Sequence, residues 1–376
     1  MKRVLIIEEE IKQYRLPFYE GLYAALRSRG IALRVAYSDS RPLERAKRDQ
    51  CDLPRDYGLK VQGYWLLNRI LVQPLFCEVA SADLIVASEG TRFFVSQILL
   101  PFSACKLKKL ALWGFGENKQ AGRQAFSEWY KKKVLRYITW WFAYTAGAAE
   151  YLIRQGFPRE RITTVQNAVD TAQISRWIAH FGPGDTARLR AAIGIPPASP
   201  IGVYCGALEN SKNLPFLIES AKLIKRRIPD FHLLLIGGGP QSAYVETQVL
   251  LNSEWMHWTG PQFGEQKAAL LQIADVFMMP GKVGLAILDS FAARLPLFTT
   301  RIPNHCPEIE YLEDGRNGLI TENSVEPYSQ AVADVLRDSA RLAALKEGAG
   351  QSALKYSIEA MVSNFCGGVQ ECLNRS

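Results

Sequence analysis

The sequence predicts an α/β protein made of two parallel-sheet domains in tandem. Apolar runs such as Val4-Leu5-Ile6-Ile7 and Leu84-Ile85-Val86-Ala87 do not alternate with polar residues, as expected of parallel strands covered on both faces. Each run is followed by a stretch of helical period, and the rhythm plays twice. Between the two rounds it lapses into Phe181-Gly182-Pro183-Gly184-Asp185 and Ile195-Pro196-Pro197-Ala198-Ser199-Pro200, a density of proline and glycine that marks a connection. A chain of 376 residues suits two domains of roughly 150 to 200 residues each.

In the first half, strands are expected at Arg3–Ile7, Ala32–Ala36, Asp83–Ala87, Leu110–Trp113, Phe142–Thr145 and Ile162–Val165. Helices are expected near Pro17–Arg29, Phe93–Phe102, Ser127–Thr139 and Ala146–Gln155. In the second half the expected strands are Ile201–Cys205, His232–Ile236, Trp255–Thr259, Val276–Met279, Leu297–Thr300 and Gly318–Thr321. Its helices fall at Leu214–Arg226, Ala243–Leu251, Lys267–Ile273, Leu285–Ala293, a short one at Glu308–Leu312, then Pro327–Glu347 and Ile358–Leu373. The division this predicts is a first domain over 1–170, a linker over 171–200, a second domain over 201–355, and a C-terminal helix over 356–376 packing back on the first domain. Two such domains make a cleft facing the carboxyl ends of both sets of strands, where open α/β sheets bind ligands.

Composition narrows the chemistry. No run of eighteen apolar residues occurs, and Met-Lys-Arg leads straight into a strand rather than a signal peptide, so a cytoplasmic protein without a membrane span is expected. Cysteines at 51, 77, 105, 205, 306, 366 and 372 are odd in number and lack CxxC spacing, which supports neither a disulfide framework nor a zinc site. The four histidines are scattered, and no protein metal site is expected. Charge is uneven: residues 1–170 hold 27 Lys/Arg against 17 Asp/Glu, residues 171–376 hold 18 against 20.

Four segments of the second half fall at strand ends. The most informative is Met279-Pro280-Gly281-Lys282-Val283-Gly284-Leu285-Ala286-Ile287-Leu288-Asp289, in which a strand enters a two-glycine loop and a helix follows at once. Glycine permits close approach, and a helix start offers unpaired N–H groups and the positive end of its dipole, so phosphate can be held there. Asp289, one turn further on, can offer a carboxylate to a hydroxyl of the same ligand; the alternative is an ordinary βα turn with a surface Asp. In Gly206-Ala207-Leu208-Glu209-Asn210-Ser211-Lys212-Asn213, Lys212 can meet a phosphate or can be a solvated lysine at a helix start. Gly237-Gly238-Gly239-Pro240 follows a strand but has Ser242 where the dinucleotide fingerprint has its third glycine. Asn304-His305-Cys306-Pro307-Glu308-Ile309 precedes a turn at Asp314–Gly318; Glu308 is a ligand residue or only a helix cap.

Taken in order, Gly206…Lys212-Asn213, Leu235-Ile236-Gly237-Gly238-Gly239-Pro240, Thr259-Gly260, Pro280…Gly284-Leu285…Asp289, Pro296 and Pro307-Glu308-Ile309…Gly315…Gly318-Leu319 resemble the retaining glycosyltransferases of family 4 (glycosyltransferase group 1), in a subgroup with a Pro-Gly-x-Val-Gly-Leu donor loop. Ile162–Asp170 is similar to that family's interdomain V-x-N-G-V-D segment, with Ala168 for the glycine. The resemblance covers nearly the whole chain. It implies the GT-B fold, two Rossmann-like domains facing each other across a cleft, and no cofactor beyond the nucleotide-sugar substrate, with no metal required. It implies a sugar moved from that donor to a glycan or lipid-linked acceptor in bacterial surface polysaccharide synthesis; the alternative is a non-catalytic GT-B-like protein that binds sugar or partners at a membrane.

Carried over residue by residue, the resemblance places Lys212 on the donor diphosphate and the backbone of Val283–Ala286 around it. Asp289 takes the place of the family's second glutamate, on the ribose hydroxyls, so Lys212 and Asp289 become the catalytic pair. Gly206, Gly237, Gly238, Gly281, Lys282, Val283, Gly284, Leu285 and Glu308 complete the donor site. Retaining transfer of this kind is framed as front-face attack in which the leaving phosphate helps take the acceptor's proton, so the protein chiefly stabilises the departing diphosphate. Candidate acceptor residues at strand ends of the first half are Glu9, Glu10, Tyr14, Arg15, Glu89, Phe115, Glu117 and Asn118. Three departures stand out: Ala207 where the family has Arg, Gly281 where it has its first motif glutamate, and Phe115 in Trp113-Gly114-Phe115-Gly116 where related members carry His.

Residues 101–136 hold nine Lys/Arg and two acids, accompanied by Trp129, Tyr130, Tyr137, Trp140 and Trp141. Residues 93–141 therefore suit an anionic membrane surface, or else a basic helix with its aromatics packed inward. Nucleic-acid binding lacks a recognition motif.

Overall fold

The computed structural model describes residues 1–39, 50–67, 70–89, 94–105, 107–116 and 135–375, with the backbone alone for 94–98. The chain divides into two units, Met1–Asn167 with Ile358–Ser376, and Ala168–Ser357.

The first unit is built on a seven-stranded sheet in the order β3-β2-β1-β6-β7-β8-β9, every pair parallel. Its strands are β1 (Lys2–Ile7), β2 (Ile31–Tyr37), β3 (Gly58–Lys60), β6 (Leu84–Ser88), β7 (Lys109–Gly114), β8 (Trp140–Ala143) and β9 (Ile162–Thr164). A separate antiparallel hairpin joins β4 (Tyr64–Leu66) and β5 (Ile70–Val72). The non-alternating runs are buried throughout their length, as in Val4 to Ile7 and Leu84 to Ala87. β8 ends two residues earlier than its apolar run suggested, because Thr145 leaves the strand to cap the helix Ala146–Arg154 by accepting from the Ala148 N–H.

The helix Ile358–Asn374 completes this unit from the far end of the sequence. Phe365 stacks on Phe142 at 4.1 Å and meets Trp113 and Phe18 edge-on at 5.1 and 5.4 Å. Lys109 Nζ donates to the last carbonyls of the helix, Cys372 O at 3.0 Å and Leu373 O at 2.8 Å, where a cation also opposes the helix dipole.

The second unit carries a six-stranded parallel sheet, β12-β11-β10-β13-β14-β15. The strands are β10 (Ile201–Cys205), β11 (His232–Ile236), β12 (Met256–Trp258), β13 (Val276–Met278), β14 (Leu297–Thr300) and β15 (Gly318–Thr321). The helix Leu214–Arg227 buries Leu214, Leu217, Ile218, Ala221 and Ile224, the spacing of one helical face. Residues 171–200, read above as a linker, instead form two helices, Thr171–His180 and Pro183–Ile193, within this unit. Asp170 caps the first through the Gln173 N–H, and Gly182 with Pro183 begins the second, so the glycine and proline taken for a loop punctuate helices. The expected helix Pro327–Glu347 is likewise two, Val325–Arg337 and Ser339–Lys355, parted at Asp338, whose carboxylate accepts from the Arg341 N–H. All seven cysteines are free thiols.

Both strand orders reverse direction at one point, β1/β6 in the first sheet and β10/β13 in the second. At such a switch point the following loops part and leave a crevice beyond the carboxyl ends of the strands. In each unit described candidate residues lie at those strand ends, Glu9, Glu10, Glu89 and Phe115 in the first and Gly206, Lys212 and Gly281 in the second.

Candidate active site

In the second unit the loops after β10 and β13 are joined. The Lys282 N–H donates to Ser211 O at 2.9 Å, and Lys212 Nζ donates back to Lys282 O at 2.6 Å. A side chain at Gly281 would place its Cβ 2.3 Å from the Lys212 carbonyl carbon, so only glycine lets the two backbones approach. Lys212 is largely enclosed; burial pushes its pKa down, against the attraction of Cys306, Glu209 and Glu308. Glu308, in the short helix Pro307–Tyr311, is 4% exposed and lies within electrostatic reach of that ammonium. The glycines after β11 serve the same crowding: a Cβ at Gly237 would fall 1.9 Å from Gly206 O, while the Gly237 N–H donates to Gly260 O at 2.9 Å. Gly238 packs beside Pro261.

His305, a residue whose role local sequence did not reveal, holds the loop from below. Its Nδ1 accepts from the Val283 N–H at 3.1 Å, which leaves Nε2 to donate to Thr300 O at 2.8 Å. The Val283 amide, expected in the phosphate cradle, is hydrogen-bonded within the protein in this structure. Gly284, Leu285 and Ala286 remain at the start of the helix Ala286–Ala292, which has no side-chain cap. Asp289 stands on that helix with an unforeseen partner: Lys267 Nζ lies 2.8 Å from Oδ1, with the two side chains 20% and 16% exposed. Burial pulls the Lys267 pKa down, but the Asp289 charge, the nearby Cys205 and the hydrogen bond to Asp289 together outweigh it and the net shift is upward. Lys267 comes from another helix, 22 positions earlier, and no local spacing links it to Asp289.

In the first unit, the ends of β1, β6 and β7 enclose a pocket of about 280 Å³. It brings together Glu9, Glu10, Tyr14, Arg15, Glu89 and Phe115, and adds Glu8, Lys12, Tyr19, Ser88, Trp113 and Tyr144, which the sequence did not single out. Glu8 accepts from Tyr19 Oη at 2.9 Å and Ser88 Oγ at 2.7 Å. Burial raises its pKa against those two hydrogen bonds. Glu89 Oε2 accepts from the Gly116 N–H at 2.6 Å, and Glu10 Oε1 pairs with Lys12 at 2.7 Å. Glu117 and Asn118 lie outside the described residues, as do Trp129 and Tyr130. Of the other aromatics in that stretch, Trp140 and Trp141 are buried in β8 and Tyr137 is 45% exposed. Among the described residues no cluster of three or more His, Cys, Asp or Glu could hold a metal, and no helix is long and apolar enough to cross a membrane.

Solved structures share this architecture over nearly the whole chain. A glycosyltransferase from Rickettsia africae superposes with a TM-score of 0.74 at 14% identity, covering 100% of this chain and 99% of that one. Anabaena HepE in complex with UDP does so at 0.70 and 15% identity, covering 98% and 100%. The fold is GT-B. Within the second GT-B unit, residues 199–338 match the family model described as glycosyl transferases group 1, a span that contains Lys212, Lys267, Asp289 and Glu308. Among curated proteins, a D-inositol 3-phosphate glycosyltransferase from Corynebacterium urealyticum is 28% identical over 198 residues, 48% of this chain and 46% of its own length. The chain spans about half the length of the curated relatives it matches.

Proposed function

We propose that this chain is a retaining glycosyltransferase that moves a sugar from a nucleoside-diphosphate sugar, held by the second unit, to a glycan or lipid-linked acceptor held by the first. We assign it to the synthesis of a bacterial surface polysaccharide such as lipopolysaccharide, capsule or exopolysaccharide, in the cytoplasm or on the inner face of its membrane. The observation that carries the reading is the junction of the Lys212 loop with the Gly281–Asp289 loop at the sheet's switch point, inside the span that the family model matches. The UDP complex of HepE supports the donor class.

In this reading Lys212 leaves the Lys282 carbonyl to meet the diphosphate, whose two charges offer a stronger acceptor than a peptide oxygen. The amides of Gly284 to Ala286, at the start of the helix, would serve the same group, and Asp289, steadied by Lys267 on one oxygen, would accept from the ribose with the other. Charge developing on the departing diphosphate is then met by Lys212 and the loop amides, and in this reading neither a protein nucleophile nor a metal is required.

The test is turnover and binding over a panel of UDP-, GDP- and dTDP-sugars. One donor should support transfer or slow hydrolysis, and Lys212→Ala should weaken its binding about 10- to 100-fold, the worth of a hydrogen bond to a charged group. Unchanged affinity in that variant would remove Lys212 from the site. A second reading, a GT-B protein that binds without transferring, draws support from Gly281, which leaves no carboxylate for the donor sugar at that position, and from the bond that already occupies Lys212. Binding without turnover for every donor would establish it.

We extend the proposal to an anionic bilayer surface met through residues 93–141, where Phe102 and Leu107 are 47% and 68% exposed. Flotation with anionic liposomes should be strong at low salt and weak at high salt, and no flotation at low salt would refute it.

A further inference from the structure

The pocket of the first unit holds a cation that, among the described residues, has no salt-bridge partner; Glu8 acts on it only from beyond ion-pair distance. Arg15 is 9% exposed, and its guanidinium lies over the rings of Trp113, Tyr14 and Tyr144 at 4.9, 5.2 and 6.0 Å. A guanidinium has five N–H donors and stays charged at any working pH. Among the described residues none of those donors finds an oxygen. The acceptor it reaches is the thioether of Met361, 3.8 Å from Nη1, and sulfur is a weak acceptor. Neighbouring carboxylates are committed elsewhere: Glu8 to Tyr19 and Ser88, Glu89 to the Gly116 amide, and one oxygen of Glu10 to Lys12. Burying such a group among rings without an oxygen partner is unfavourable unless something else supplies one.

The pocket wall also carries unmet capacity of the opposite kind. Among the described residues, Glu10 Oε2 is a buried acceptor with no donor, and the Trp113 indole N–H is a buried donor with no acceptor. A small free anion fits such a wall poorly, because Glu8, Glu9, Glu10 and Glu89 all line it. A neutral sugar would leave Arg15 unanswered. A ligand that satisfies both sides carries one oxyanion and several hydroxyls, and a pocket of about 280 Å³ holds one of monosaccharide size.

We propose that this pocket binds an acidic sugar unit, its carboxylate or phosphate seated on Arg15 and its hydroxyls donated to the carboxylates of the opposite wall. The proposal rests on the reading of the first unit as the acceptor-holding one and narrows its acceptor to an anionic glycan residue. Tyr14 and Phe115, 41% and 37% exposed at the mouth, offer apolar faces to the ring of that sugar.

The test is calorimetric titration of the full chain with glucuronate, glucose 6-phosphate, glucose and inorganic phosphate, each in the presence and absence of UDP. At least one of the two acidic sugars should bind about tenfold or more tighter than glucose and than inorganic phosphate, and the arm that does so tells carboxylate from phosphate. Arg15→Met should bring the acidic sugar down to the level of glucose with UDP affinity unchanged, and Arg15→Lys should keep part of the preference. Equal affinity for acidic and neutral sugars, or full preference retained in Arg15→Met, overturns the inference. Should Arg15→Met fail to fold, the wild-type comparison of acidic with neutral sugar still decides. Failure of UDP, GDP and dTDP to bind removes the glycosyltransferase reading itself; nucleotide binding without acid preference removes this inference alone.

Discussion

Gly281 shows how a single residue type is dictated by what lies across from it. The atoms that a Cβ would meet belong to the Lys212 backbone, which cannot rotate away as a side chain can. Gly281→Ala is expected to destabilise the second unit by about 2 to 3 kcal/mol, and a loss below about 1 kcal/mol in urea unfolding would show that the loop yields instead. The missing carboxylate at this position therefore has a packing cause here: no side chain fits.

A second residue-scale consequence lies at the opposite end of the same sheet. His232 Nδ1 and His257 Nε2 are 2.9 Å apart, with the rings stacked. Burial lowers both pKa values, His232 to about 4, with Lys225 adding to the effect on each. The unfolded chain thus takes up protons near the ordinary histidine value of about 6.5 while the folded chain does not. Stability contributed by this pair is present above that pH and is lost as the pH falls toward 4. The urea midpoint should drop between pH 6.5 and 5, and His257→Gln should flatten that slope. A slope unchanged in the variant would assign the effect to other groups.

At the scale of elements, periodicity located the strands because parallel strands buried on both faces read as unbroken apolar runs, and β10, β11 and β14 lie where those runs do. Capping was harder to read. Asp338 interrupts a continuous helical pattern because its side chain starts a new helix, and nothing in the apolar period announces it. Asp338→Ala should cost about 1 kcal/mol, and a fall in the thermal midpoint by a few degrees would report it. No change would mean that packing along Ser339–Lys355 suffices. The helix Pro183–Ile193 escaped for a related reason: glycine and proline at a helix start look like those in loops when no partner surface is in view.

For the whole molecule, the telling contacts join residues 223 to 347 positions apart. Phe365 fills a space between Phe142, Trp113 and Phe18, so the first unit's core depends on the last helix of the second round. A chain ending at Ser357 should lose hydrogen-exchange protection across residues 1–167 while residues 168–357 keep theirs. Equal loss in both, or in neither, would contradict that division.

Local pattern by itself determined the α/β class, the position of most strands and the loops that end on each sheet's switch point. These follow from hydrophobic period and from glycine, whose signals lie within a few residues of one another. Tertiary structure alone decided which side chains answer those loops. Lys267 reaches Asp289 from another helix, His305 takes the Val283 amide, and Arg15 is enclosed by Trp113 and Tyr144 from strands and turns a hundred residues away. Such pairings depend on where separate elements come to rest against each other, and sequence spacing carries no record of that distance.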